Sequence, residues 1–376
     1  MSIVLIIENK KECKMVKSVY IHIPFCDSIC SYCDFCKFIK NDIWIEDYLN
    51  TLEKEINNKY KGEVIETLYI GGGTPSCLNI KQLNKLFEII KVLKKSDKLE
   101  FTFECNIENI TKEKLELLYK NGVNRISIGI QTFNNKYLKF LNRNHNEDMI
   151  KEKINIAKKI GFNNINIDLI YALKEETVED LKIDLEKFLE LDITHISTYS
   201  LIIEPHTKLF IDNEENIDDE LDYEMYSTIK KVLESNGYKH YEVSNFAKEG
   251  YESKHNLTYW NNNEYYGFGM GASGYIDGIR YDNTRSINKY LNGEYILEEH
   301  KLDSREVIEN EFILGFRKID GINKEDFNKK FNMDIKNIDI IDKLLKEEKL
   351  LENKKNIYIN PKYIYISNDI LIEFIN

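Results

Sequence analysis

"SVYIHIPFCDSICSYCDFCKF", residues Ser18 to Phe38, joins a short apolar run to four cysteines, Cys26, Cys30, Cys33 and Cys36, within eleven positions. The first seven residues carry β-branched and aromatic side chains and end at Pro24, as a strand does at its boundary. The thiols follow directly behind it. Four thiols crowded on one strand-to-helix loop ask for a metal or redox role.

Five further β-rich runs recur downstream: "ETLYIGG" (66–72), "LEFTFEC" (99–105), "RISIGIQ" (125–131), "NINIDLI" (164–170) and "HISTYSL" (195–201). Between them lie stretches of helical periodicity such as 44–60 and 80–94. Strand-helix alternation implies a parallel sheet or barrel, and six units make a partial (β/α)6 barrel of the α/β class. Strands packed between helix layers are apolar on both faces, yet these alternate. Ile126, Ile128 and Ile130 oppose Ser127, Gly129 and Gln131; Ile165, Ile167 and Leu169 oppose Asn166 and Asp168; Phe101 and Phe103 oppose Thr102 and Glu104. One face therefore packs on helices and the other lines a polar cavity. Barrels place their chemistry at the carboxyl ends of the strands. There stand the cysteine loop, "GGGTP" (71–75), Glu104, Gln131 and Asp168.

The chain has 376 residues, 42% hydrophobic and 31% charged, with 4 prolines and 17 glycines, the profile of a folded protein with a sizeable core. A net charge of −12 with no basic run interleaved with aromatics argues against a nucleic acid partner. The apolar run 3–7 is too short for a signal peptide core, and a cytoplasmic location is expected. Seven cysteines, an odd number confined to the first third, suit a metal or redox site in a reducing compartment. The expected organisation is an extension over 1–17, with Cys13 and an alternative start at Met15, a core domain over 18–240, and a C-terminal domain over 241–376.

Three or four thiolates on one loop can hold zinc or an iron-sulfur cluster. Structural zinc usually draws on a second Cys or His pair, and none follows here, so zinc is the weaker reading. In CxxxCxxC, Cys26, Cys30 and Cys33 can each take one iron of a cubane. The fourth iron then stays open, as a catalytic metal position does.

"CDSICSYC" resembles the motif of radical S-adenosylmethionine proteins, and "YIHIPFC", "GGGTPS", "RISIGIQTF", "NIDLIYAL", "YEVSNFA", "HNLTYW" and "GFGMGAS" narrow the resemblance to the oxygen-independent coproporphyrinogen III oxidase family, over nearly the whole chain. The resemblance implies a [4Fe-4S] cluster on Cys26, Cys30 and Cys33 whose open iron chelates S-adenosylmethionine, with one-electron cleavage of the sulfonium to a 5′-deoxyadenosyl radical. It implies that Tyr20 packs near the cluster, that the backbone of Gly72, Gly73 and Thr74 receives the methionine amino group, that Glu104, Gln131 and Asp168 meet the ribose, and that Arg143 meets the carboxylate. Without the family, Arg143 reads as a solvated helix charge. Lys174 and Ile107 stand where the family usually has Pro, which alters loop stiffness and removes no ligand.

Within the family, the decarboxylating oxidases carry a cysteine two residues after the third ligand, where this chain has Phe35. "HNLTYW" (255–260) is characteristic of a heme-carrying branch. The resemblance to that branch implies a chaperone in porphyrin metabolism that binds heme and hands it to apo-hemoproteins, those of a respiratory chain and a membrane-associated recipient among them, with a homodimer as one assembly. Radical decarboxylation of coproporphyrinogen III is the alternative, and radical cleavage of heme a third. His255, with Asn256, Tyr259 and Trp260, is the heme candidate, against a hydrogen-bonded turn with Trp260 in the core. Cys36 as a fourth ligand would close the open iron, so it reads as a buried or free thiol. Gly267 to Gly274 read as a tight turn rather than a phosphate loop. The last section, from about Arg305, reads as amphipathic helices with a hairpin in "NKKNIYINPKYIYIS", a winged-helix-like lid or interaction module.

Overall fold

The computed structural model describes residues 16–375; the extension with Cys13 and Met15 lies outside them, apart from its last two residues. All six expected strands form: β1 (Ser18–Ile23), β2 (Val64–Gly72), β3 (Lys94–Asn106), β4 (Arg125–Gln131), β5 (Asn164–Tyr171) and β6 (His195–Ser200). They pair in parallel in chain order. Three strands not expected extend this sheet. β7 (Lys239–Glu242) and β8 (Asn245–Ala247) add antiparallel beyond β6, and β9 (Tyr266–Phe268) adds parallel beyond β1. The order β9-β1-β2-β3-β4-β5-β6-β8-β7 leaves two edges, so the barrel is partial and open.

The crossover helices start where short polar side chains can accept the first free amides: Asn41 before Asp42–Lys59, Asn79 before Ile80–Ile89, Thr111 before Lys112–Lys120, Asn146 before Glu147–Ile160 and Thr177 before Val178–Glu190. The helix expected over 80–94 stops at Ile89, because a 3₁₀ turn at Ile90–Val92 hands the chain to β3 five residues earlier than expected. The outward strand faces, with Phe101, Phe103, Ile126, Ile128, Ile165 and Ile167, are fully buried against these helices. The inward faces carry polar groups. Asn166 at their centre donates to Ser127 (2.8 Å) and Asp168 (2.9 Å), and its carbonyl meets His195 Nδ1 (2.6 Å) and Ser197 (3.1 Å).

The C-terminal part runs helix (Ser304–Gly315), strand (Ile322–Asn323), helices (Lys324–Phe331, Asp339–Lys346) and strands (Leu350–Glu352, Asn356–Ile359), the order of a winged helix, around a second core of Phe312, Phe316, Phe327 and Ile341. "NKKNIYINPKYIYIS" supplies one strand of the hairpin rather than both, since Pro361 opens a 3₁₀ turn and offers no amide to a ladder. The partner strand is Leu350–Glu352.

One buried carboxylate fastens the segment after β9 to the first helix. Glu55, with no exposed surface, accepts from Gly269 N (2.8 Å), Asn283 Nδ2 (2.8 Å), Tyr290 Oη (2.7 Å) and Lys59 Nζ (2.8 Å). Removing it strands three buried donors away from water, each at a cost of about 1–3 kcal/mol, partly relieved by relaxation, while the part-exposed Lys59 loses only its ion pair. Glu55→Ala is expected to lower unfolding stability by about 3 kcal/mol in urea titrations. A loss under about 1 kcal/mol would show that the network is not holding this junction.

Candidate cluster and nucleotide site

The carboxyl ends of β2 to β6 and the cysteine loop enclose a cavity of about 430 Å³. Cys26, Cys30, Cys33, Gly72, Gly73, Thr74, Glu104, Gln131, Arg143, Asp168 and Asn256 all line it. The loop is fixed from several sides. Phe25–Cys26 pairs with Phe38–Ile39, Ser31 N donates to Leu141 O (3.1 Å), Ser31 O accepts from Leu209 N (3.1 Å), and Asn142 Nδ2 donates to Ile29 O (2.7 Å). Thr74 Oγ1 approaches Cys26 Sγ (3.4 Å), and Arg143 Nη1 approaches Cys30 Sγ (3.5 Å). All three cysteines are free thiols. Burial pushes Cys26 up to about 12 and raises Cys33 as well, so each would meet iron as a neutral thiol and release its proton on binding. Among the described residues no three Cys, His, Asp or Glu side chains share one ion position. A cubane, with one iron per thiolate, asks for a wider spread than a single ion does.

Arg143 is buried and not a solvated charge. Its Nη2 donates to Gly129 O (2.7 Å), Nη1 to Asn106 Oδ1 (3.2 Å), and Glu108 stands 3.7 Å away. Burial works against its charge, but Tyr32, Cys30 and Glu108 hold its pKa above the usual value. Its Nε, and Oε1 of Gln131, are buried without a partner. Such unmet groups facing a cavity fit a polar ligand.

The glycine turn is shaped by its neighbours. Gly72 has φ +116°, and a Cβ there would lie 2.6 Å from the His22 ring. Its amide donates to Glu104 (2.9 Å), that of Gly73 to Ile23 O (2.9 Å) and that of Thr74 to Phe25 O (2.8 Å). With all three amides spent, this turn can meet an ammonium only through its carbonyl oxygens, the groups suited to that task.

Glu104 also accepts from Tyr69 Oη (2.7 Å). Burial lifts its carboxyl to about 7, the Tyr69 hydroxyl opposing and the Asp168 charge assisting. Burial likewise lifts Asp168 to about 6, against the Asn166 hydrogen bond and the Arg125 charge. Sequence reasoning missed Arg125, Tyr69 and Asn106. Arg125 is 2% exposed, lines the cavity floor, and has an unpartnered Nε. Extending the alternation of Ser127, Gly129 and Gln131 back by one step would have found it.

The heme candidates part company. Tyr259 and Trp260 line a second cavity of about 670 Å³, together with Tyr20, His22, Cys36, Arg280 and Arg285. Tyr20 thus lies one strand over from Tyr69, on that cavity and not on the cluster cavity. His255 lines neither. Nδ1 meets Thr67 Oγ1 (2.8 Å), Nε2 meets Tyr259 Oη (2.8 Å), and burial, with the Arg125 charge, lowers its pKa to about 3. Asp34 and Phe35 line both cavities, so the loop between Cys33 and Cys36 is the wall that divides them.

A three-thiol loop over an open six-unit barrel defines a protein of the radical S-adenosylmethionine class, and the Radical SAM superfamily profile matches residues 20–188. The heme chaperone HemW of Lactococcus lactis is 41% identical over 95% of this chain and 97% of its own length, and that of Bacillus subtilis 38% over 96% and 99%. The chain belongs to the HemW family of that superfamily. In three dimensions it superposes on the coproporphyrinogen III oxidase HemN of Escherichia coli, a radical SAM enzyme, with TM-score 0.84 over 96% of this chain and 90% of that one, at 21% identity. This likeness shows the shared fold. The superfamily implies a [4Fe-4S] cluster and S-adenosylmethionine.

The raised Glu104 pKa has a stability consequence in the ligand-free protein. The fold favours its neutral form, so that contribution is complete below the unfolded value of about 4.3 and is lost as pH rises through about 7. Glu104→Gln removes the titration. The variant is expected to gain on the wild type by on the order of 2–3 kcal/mol between pH 4.5 and 8, measured by denaturant unfolding. A pH-independent difference would place this carboxyl in water.

Proposed function

We propose that this chain is a heme carrier. It holds a [4Fe-4S] cluster on Cys26, Cys30 and Cys33, binds S-adenosylmethionine in the barrel lumen, and hands heme to apo-hemoproteins in the cytoplasm or at a membrane-associated respiratory recipient, as a monomer or a homodimer. The observation that carries the reading is end-to-end similarity to curated heme chaperones, 41% identity over 95% of this chain. The geometry supports it: three thiols and the unpartnered Gln131 and Arg143 atoms face one cavity, while aromatic Tyr259 and Trp260 face another.

When bound, the cluster supplies one-electron chemistry at the sulfonium. The chain's own residues do the holding. The carbonyls of the 72–74 turn accept the methionine ammonium, the Arg143 guanidinium meets the carboxylate, and Glu104 and Asp168 accept the ribose hydroxyls with Gln131 beside them. Residues 18–240 supply most of this machinery, joined by Asn256, while 241–376 supply the winged-helix lid and, with Tyr20, His22 and the 34–36 loop, wall the second cavity. Phe35, where the oxidases carry cysteine, argues against decarboxylation.

The test has two arms on the anaerobically reconstituted protein. Replacing Cys26, Cys30 or Cys33 by Ala is expected to abolish iron and the visible absorption of the cluster, and Cys36→Ala to leave both unchanged. Heme is expected to bind stoichiometrically. Coproporphyrinogen III with S-adenosylmethionine and reductant is expected to return unchanged. Decarboxylated product, or no heme uptake, would overturn the carrier reading.

A further inference from the structure

An imidazole binds iron through a ring nitrogen whose lone pair is free. The chain has seven histidines, and in four both ring nitrogens are engaged. His22 meets Tyr20 and the Cys36 carbonyl, His145 the Glu108 carboxylate and the Ile130 carbonyl, His195 Asn166 and Tyr241, and His255 Thr67 and Tyr259. His240 meets the Val243 carbonyl through Nε2 and keeps Nδ1 unpartnered, but its ring is buried under Phe246, and His300 is bonded to Glu306 through Nε2 on an exposed strand; neither ring lines either cavity or the groove beside them. That leaves His206. Among the described residues its ring makes no hydrogen bond, and it is exposed.

His206 lines a groove of about 360 Å³ with Phe35, Cys36, Lys37, Phe38 and Arg285, bounded also by the acidic Asp34 and Glu204. Its backbone is left-handed, φ +69°, a conformation that costs a non-glycine residue about 1 kcal/mol and that is held here from both sides. Thr207 Oγ1 donates to Glu204 O (2.7 Å), and Leu209 N donates to Ser31 O within the cysteine loop. Phe35, 62% exposed, offers an uncovered aromatic face. Lys37 and Arg285 donate to the carbonyls of Cys33 and Asp34, and among the described residues neither forms an ion pair, so both charges remain available to ligand carboxylates. Asp34, Phe35, Cys36 and Arg285 also wall the larger cavity, which gives a macrocycle room beyond the groove.

We propose that His206 is the iron ligand for the cargo heme, with Phe35 against the macrocycle and Lys37 and Arg285 toward its carboxylates. The assignment rests on the heme-carrier reading and replaces His255, whose ring is spent in the core, as the ligating residue.

The experiment titrates hemin into the full-length, cluster-loaded protein and reads absorption and electron paramagnetic resonance. His206→Gly is the informative variant, since glycine accepts this backbone conformation and the fold and cluster content are kept. Its heme affinity is expected to fall at least about tenfold, with an altered iron spectrum. Added imidazole is expected to restore the spectrum. A His206→Gly protein with wild-type affinity and spectrum, or one that weakens without spectral change or rescue, overturns the assignment. So does a His255→Asn protein that alone loses the signature. A wild-type protein that takes up no heme at all is a different failure, and removes the carrier reading itself.

Discussion

A guanidinium buried to 7% exposure has to be met on nearly every side, and the way Arg143 is met holds the site together. Its hydrogen bonds reach the cysteine loop through Cys30, the end of β3 through Asn106 and the end of β4 through the Gly129 carbonyl. Glu108 supplies the countercharge. Burial would raise that carboxyl, but His145 and Arg143 hold it down to about 2, so it stays ionised across the physiological range. His145 is fixed in turn by the Ile130 carbonyl (3.0 Å). One cation thus ties the thiol loop to two neighbouring strand ends, and a loop without regular structure acquires a defined position over the lumen. Asn106 extends the tie by donating to Thr74 (3.0 Å), whose hydroxyl reaches Cys26.

The rest of the lumen follows from alternation. Each strand puts its branched apolar residues toward the helices, so every second residue points inward, where it must find polar company. Asn166, Ser127, Asp168, His195 and Ser197 satisfy one another, and His195 passes the chain of bonds on to Tyr241 (2.8 Å), whose hydroxyl accepts from Ser253 N (3.2 Å). The helix Lys254–Trp260 starts there, its first amides turned to Glu100 of β3. That helix brings Asn256 to one cavity and Tyr259 and Trp260 to the other, with His255 packed between them against Tyr69 at 5.1 Å.

What could be read from the sequence divides along the same line. The six strands, the thiol loop and the polar residues at strand ends are local patterns with period two, and they carry their own address. Arg143 was legible only through family resemblance, because nothing local distinguishes a buried arginine after a short helix from a solvated one. The strand Tyr266–Phe268 joins β1 from 247 residues away, Val19 opposite Tyr266, and three-residue strands carry no periodicity to find. His255 looked like an available ligand for the same reason: its hydrogen-bond partners Thr67 and Tyr259 are a matter of tertiary packing, as is the ring of His206 that has none.

The wall between the cavities sets a fourth cysteine apart from the three that precede it on the same loop. Cys33 faces the cluster cavity; three residues later Cys36 faces the second one and the groove beside it, not the first, and Asp34 and Phe35 between them touch both cavities. The turn is held in that sense by His22, which meets the Cys36 carbonyl at 2.8 Å, and by Gly271, where any side chain would collide with Cys36. A cysteine one residue earlier would sit at Phe35, which lines the cluster cavity as well. The spacing of three therefore sets the last thiol on the far side of the wall from Cys33, and the position shared by both cavities carries a phenyl ring.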